Sequence, residues 1–318
     1  MPGQMPNWTK KFGYGEFIHL EHRNCQACMM KGDKLFRVVE DNCFKVEERL
    51  KDMDSTEVTT QVLSTIPVLF NYWAHAKDGL ETSRFLNDHI AGEVDKTPDR
   101  FVGLGTVPLQ NIDFSVKEME RCMLELKMPG LEIGSNINGK NLSDPYFFPF
   151  YKEAERLGCS LFIHPWEMMG EGQMQEYWLP WLVGMPAETT RAICSMIFGG
   201  VFEKFPKLKV AFAHGGGSFP YTLGRIKHGY DVRPDLVAKD NPVSPDQYIG
   251  KFWVDSLVHD PKAFSFLLDS MGQDKVCLGS DYPFPLGEHH PGKLIEQLNF
   301  SGEMKAKLLS QNALDWLQ

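Results

Sequence analysis

From about residue 57 onward the chain alternates short β-rich runs with amphipathic helical stretches, and this rhythm constrains its fold more than any other feature. The runs lie near 57 to 68 (EVTTQVLSTIPV), 101 to 108 (FVGLGTVP), 130 to 135 (GLEIGS), 159 to 164 (CSLFIH), 208 to 214 (LKVAFAH), 251 to 257 (KFWVDSL) and 276 to 281 (VCLGSD). Strands alternating with helices are the signature of parallel βα units. Seven such strands predict a single α/β domain of the TIM-barrel type over residues 1–318. The stretches 166–186 and 229–248 read as insertions in its βα loops, where a barrel carries its active site. The first twelve residues fit no barrel element, and 13–56 reads as a loop-rich insertion covering the barrel mouth.

Helix punctuation supports the count. Asp260 is placed to cap a helix that has Pro261 at its first position and Gly272 just past its end. Ile112, Val116, Met119, Met123 and Leu126 recur at helical spacing and predict one buried face. The aromatic run Tyr146, Phe147, Phe148, Phe150 and Tyr151 opens another helix, capped by Ser143 or Asp144 and packed on the barrel.

With 318 residues, 42% apolar and 24% charged, the chain has material for a full core, which excludes disorder and a small stapled scaffold. The net charge of −9 leaves no basic footprint for nucleic acid. No apolar run approaches the roughly 18 residues of a membrane span, and MPGQMPNWTKK lacks the apolar core of a signal peptide. The expectation is a soluble cytosolic protein without membrane or nucleic-acid partners. Seven cysteines, an odd number, suit a reducing compartment.

Three polar residues close predicted buried strands: His164 in LFIHPW, His214 in VAFAHGGG and Asp281 in VCLGSDYPFP. The carboxyl ends of parallel barrel strands share one mouth, so residues over a hundred positions apart can meet there. A lone histidine ending an apolar strand is ordinarily a packed structural residue; two histidines and an aspartate in the same topological position are not. Imidazole nitrogens and a carboxylate are what zinc uses in a catalytic site that keeps one position open. The glycines at 215 to 217 would let the backbone turn tightly beside His214.

The segments FIHPWEMM, YWLPWLVGMPAETT, AFAHGGGSFPYTLGR and LGSDYPFPLGE closely resemble the aminocarboxymuconate-semialdehyde decarboxylase family of the amidohydrolase superfamily, from about Lys10 to Asn312. The resemblance implies a (β/α)8 barrel, Zn2+ as cofactor, and decarboxylation of a dicarboxylate semialdehyde in tryptophan catabolism, limiting quinolinate formation. It implies His164 and Asp281 as zinc ligands and His214 as the acid/base. It further implies that Arg37 and Trp181 contact substrate, and that Arg225 reaches the neighbouring site of a homodimer, with Arg233 a second candidate. Guanidinium binds carboxylate in a planar, bidentate way that lysine cannot reproduce, which agrees with that arginine usage.

The family's first strand ends in Asp-x-His-x-His, supplying the other half of the zinc set, and no such motif is found here. The count of seven strands agrees, so the expectation is a barrel lacking its first strand through an alternative first exon or a displaced start. Weaker zinc binding would follow. Two alternative readings stay open: a zinc-poor isoform that pairs with full-length subunits, and a related amidohydrolase acting on another carboxylated substrate. The run His19, His22, Cys25 and Cys28 resembles a metal knuckle but lacks the separated second ligand pair of most zinc sites, and it reads as a polar loop.

Overall fold

The computed structural model describes residues 1–23 and 26–318, and these form two compact units, Met1–Glu132 and Ile133–Gln318.

In the first unit, β1 (Ile18–Arg23), β2 (Gln26–Lys31) and β3 (Lys34–Val39) form an antiparallel sheet in that order. Register is set by pairs such as Ile18 with Lys31, and a bulge interrupts β2 and β3 between Met29 and Met30. The sheet and the helix Val46–Ser55 correct the expectation of a loop-rich 13–56. Charged residues and histidines interrupt the apolar ones in IHLEHR and KLFRVV, which hid the strands. His19, His22 and Cys28 therefore belong to strands and not to a polar loop; Cys25 lies outside the described residues. One His22 ring nitrogen bonds the Gly3 carbonyl at 2.8 Å.

Parallel pairing then begins. β4 (Gln61–Leu63) pairs with β5 (Phe101–Gly105), which pairs with β6 (Gly130–Gly134). The predicted strand at 57 to 68 thus shortens to three residues. The helix Ile112–Leu124 buries Ser115, Glu118, Met119 and Cys122, a face turned by about one residue from the predicted one. Glu118 causes the offset: fully buried, it accepts hydrogen bonds from Arg84 Nε (3.0 Å), Asn87 Nδ2 (2.8 Å) and Arg121, so its charge is matched inside.

In the second unit, β6 is followed by a two-strand ribbon, β7 (Asn136–Ile137) and β8 (Lys140–Asn141). The parallel order then runs β6, β9 (Ser160–His164), β10 (Lys209–Phe212), β11 (Trp253–Asp255) and β12 (Val276–Cys277). β10 lies between β9 and β11, with Ala211 opposite Phe162 on one side and Trp253 on the other. All seven predicted parallel strands are present, and the architecture is that of a TIM-type α/β barrel protein. Asp144 caps the turn before the helix Phe148–Leu157, accepting from the Tyr146 N–H at 2.9 Å, and Phe147, Phe150 and Tyr151 are buried. Asp260 caps Pro261–Met271 through the N–H groups of Lys262 and Ala263, as the sequence predicts. No disulfide joins the described cysteines, and no described helix is long and apolar enough to cross a membrane.

Candidate metal centre and active site

His164 is the last residue of β9 and is buried. Its Nδ1 lies 2.9 Å from the Pro165 carbonyl oxygen. A carbonyl can only accept, so Nδ1 carries the proton and Nε2 presents a lone pair. Burial, with His214 nearby, pushes its pKa down to about 3, so the ring is neutral.

His214 follows β10 and opens a tight turn over His214–Gly216. Its φ is +58°, unusual for a side-chain-bearing residue. Burial, with His259 nearby, lowers its pKa to about 4. The two imidazoles meet edge to face at 5.0 Å between centroids. The glycines that follow have φ values of +63°, +74° and +64°. A Cβ on Gly217 would stand 2.2 Å from the Pro186 carbonyl oxygen, and one on Gly215 would stand 2.5 Å from Val258. The triple glycine is therefore required by backbone geometry and by space.

Asp281 lies four residues past the end of β12, so the strand is shorter than predicted and the carboxylate stands in a turn whose Asp281 carbonyl accepts from the Phe284 N–H at 3.0 Å. Its φ is +48°. Strained non-glycine backbone at both His214 and Asp281 is the kind found at functional sites. One ligand atom from each of His164, His214 and Asp281 lies within 4.8 Å of the others, the one such cluster among the described residues. Neutral imidazole with its Nδ1 proton already committed to a carbonyl is poised to ligate through Nε2, and the nearby carboxylate supplies charge. The donor set fits a divalent metal.

The remaining predicted residues are placed as follows. Arg37 stands on β3 in the first unit, half-buried. Trp181 lies in the helical turn Pro180–Gly184 and packs against Trp178 with ring centroids 5.9 Å apart. Arg225 is exposed on the helix Phe219–Val232 and has no hydrogen bond or ion pair among the described residues. Arg233 is engaged, with Nε 2.8 Å from Asp235 Oδ1.

Among the buried carboxylates that sequence reasoning missed, two bond the segments that carry the site. Asp255, the last residue of β11, accepts hydrogen bonds from the N–H groups of His214 (2.8 Å), Gly215 (2.8 Å) and Leu257 (3.0 Å). Burial raises its pKa to about 6. Its signal was available, since WVDS also ends a barrel strand in a polar residue. Glu188 had none, because an acid in the first turn of the helix Met185–Phe198 looks like ordinary capping. It is fully buried and accepts from Ser135 Oγ (3.0 Å), Asn136 Nδ2 (3.1 Å) and the Met169 N–H (3.2 Å). Ser135 Oγ and Asn136 Nδ2 also bond the backbone of Trp166. The start of the 166–186 insertion is thereby tied down beside His164.

The amidohydrolase family profile matches residues 17–318. The chain belongs to the amidohydrolase family. This amidohydrolase is 56% identical over 319 aligned residues to the 2-amino-3-carboxymuconate-6-semialdehyde decarboxylase of Dictyostelium discoideum, covering 100% of this chain and 89% of that one. Among solved structures, it superposes with a TM-score of 0.82 on 5-carboxyvanillate decarboxylase from Sphingomonas paucimobilis, at 27% identity over 91% of this chain and 88% of that one. A second, 5-carboxyvanillate decarboxylase from Novosphingobium aromaticivorans in complex with manganese and 4-hydroxy-3-methoxy-5-nitrobenzoic acid, gives a TM-score of 0.79 at 26% identity over 85% of this chain and 79% of that one. That neighbour binds manganese, and in this amidohydrolase His164, His214 and Asp281 are grouped so that they could hold a metal ion.

Proposed function

We propose that this amidohydrolase is a carboxy-lyase that converts 2-amino-3-carboxymuconate 6-semialdehyde to 2-aminomuconate 6-semialdehyde without oxygen, in the cytosol, and so limits cyclisation of the substrate to quinolinate. The observation that carries the chemistry is the meeting of His164, His214 and Asp281 within 4.8 Å. The substrate assignment rests on the full-length 56% identity to the Dictyostelium discoideum decarboxylase.

His164 and Asp281 would hold the metal, zinc in this proposal, which when bound supplies Lewis acidity toward the substrate and toward water. His214 would manage the proton. His214 would first take a proton from a water molecule in the site; as the C–C bond to the departing carboxylate breaks, its electron pair stays on the substrate carbon, and the imidazolium returns that proton there while carbon dioxide leaves, the hydroxide left from the water balancing the charge. Arg37 would bind a substrate carboxylate and Trp181 would line the pocket. The test is carbon dioxide release from freshly generated substrate by the zinc-loaded protein. We expect one equivalent per substrate, loss of turnover on chelation, and recovery on adding zinc. Turnover unaffected by chelation, or none in zinc-loaded protein, would overturn the assignment.

The same reading makes the protein a homodimer in which Arg225 completes the partner's site. Its exposure without a local partner supports this, as do Tyr221 on the same helix, 83% exposed, and Val232, 55% exposed. The engagement of Arg233 by Asp235 favours Arg225 for the role. Arg225→Ala is expected to raise KM about 10- to 100-fold, as for loss of a charge-assisted hydrogen bond. Mixing it with His214→Asn should restore about a quarter of wild-type activity, because half the dimers then carry one complete site. No recovery on subunit exchange would show that Arg225 serves its own chain or neither.

A further inference from the structure

We propose that Asp255 is a positioning residue that fixes His214 and Asp281 relative to each other; the proposal rests on the roles given to those two residues above. Both of its carboxylate oxygens are engaged by backbone: Oδ2 accepts from the His214 N–H at 2.8 Å, and Oδ1 from the N–H groups of Gly215 at 2.8 Å and Leu257 at 3.0 Å. A side-chain-bearing residue at φ +58° persists only where its surroundings hold it, and the bond from its N–H to Asp255 is one of the restraints that fix where the His214 ring begins. The other flank of Asp255 abuts Gly279, two residues before Asp281. A Cβ there would lie 2.5 Å from Asp255 Cβ and 3.0 Å from Oδ2. The Gly279 N–H donates to Ser256 Oγ at 3.2 Å, fastening the same segment to the residue after Asp255. One buried side chain thus sits between the backbone that carries the acid/base and the backbone that carries the carboxylate ligand. Groups that orient a metal site from behind typically change metal affinity or activity 10- to 100-fold when altered.

Asp255→Asn tests this, because the amide keeps the shape but turns an NH2 toward a backbone N–H. Zinc affinity, measured by competition with a chromophoric chelator, is expected to weaken about 10- to 100-fold, and kcat at saturating zinc to fall by a similar factor with KM within about threefold. Gly279→Ala, which presses on Asp255 from its other side and leaves every His214 hydrogen bond donor in place, should act in the same direction. Asn241→Ala serves as the control for general loosening, since Asn241 is buried and bonds the Ile197 carbonyl oxygen and the Tyr248 hydroxyl, and it bonds neither Asp255 nor the turn at His214. It should lower the melting midpoint and leave zinc affinity unmoved. Folded Asp255 and Gly279 variants with zinc affinity and kcat within about twofold of wild type would overturn the proposal, as would failure of both to fold. If the wild type binds zinc but releases no carbon dioxide, while Asp255→Asn still loses affinity, positioning stands and the reaction assignment falls.

Discussion

Replacing His214 with Asn is expected to slow decarboxylation about 100- to 10,000-fold with little change in KM, the range typical for losing a positioned acid/base group. Asparagine is the informative substitution. It is among the few residues that tolerate the left-handed backbone His214 adopts at φ +58°, so the turn and the hydrogen bond to Asp255 survive. It also keeps a polar side chain in the cavity, so what is lost is the capacity to exchange a proton. Alanine would mix that loss with a cavity. Single-turnover rates measured on zinc-loaded protein decide the matter, and a variant within about tenfold of wild type would remove His214 from the proton's path.

Acid should unfold the metal-free protein sharply. His164, His214 and His89 are each held neutral by burial, with pKa values near 3, 4 and 4 against about 6.5 in the unfolded chain. A base with a depressed folded pKa binds more protons when unfolded, so the stability it allows is complete above about pH 6.5 and drains as pH falls toward 4. Asp255 works the other way: its pKa is raised to about 6, so the stability linked to it is present at low pH and lost as pH rises through 6. Three histidines outweigh one carboxylate, giving a net loss of the order of 5 kcal/mol between pH 7 and pH 4. Since a domain's whole margin is about 5 to 15 kcal/mol, urea midpoints in the presence of chelator should collapse across that window. A flat profile would mean that the two site histidines are charged in the folded protein. Zinc held as proposed, by His164 and Asp281, should flatten the upper part of the curve, because a metal ligates only the deprotonated His164 ring.

The sequence was most readable where one physical rule acts alone. Strands buried on both faces become apolar runs; the seven runs mapped onto seven strands, each shorter than its run, and only Gln61–Leu63, with Val62 exposed, departs from that burial. A polar residue ending such a strand has few reasons to be there, which is why His164, His214 and Asp281 could be picked out and why the structure brings them together. Asp255 satisfies the same rule but contributes its carboxylate to backbone N–H groups, and no side-chain pattern in WVDS announces that use. The antiparallel sheet of β1 to β3 escaped notice because exposed Leu35, Phe36 and Val38 and interleaved charges blur its alternation. The buried face of Ile112–Leu124 was misplaced by one residue because Glu118, a charge that ought to face water, is met by buried Asn87 and by Arg84 and Arg121 reaching in from the surface. For Asp255 and Glu118 a partner distant in sequence reversed a local preference.

The crowding around Gly215, Gly216 and Gly217 has an implication for how such a protein can change its diet. Val258, Val254 and Pro186 leave no room for even a methyl group on that turn, so mutation there disables the chemistry and cannot retune it. The segment after His164 is built differently: Glu188 pins its beginning, while Tyr177, Trp178, Leu182 and Val183 project with 38 to 82% exposure. New substrates should therefore be recruited by exchanging those projecting side chains, and a library confined to 174–183 should yield altered preference at intact turnover far more often than one directed at the glycines.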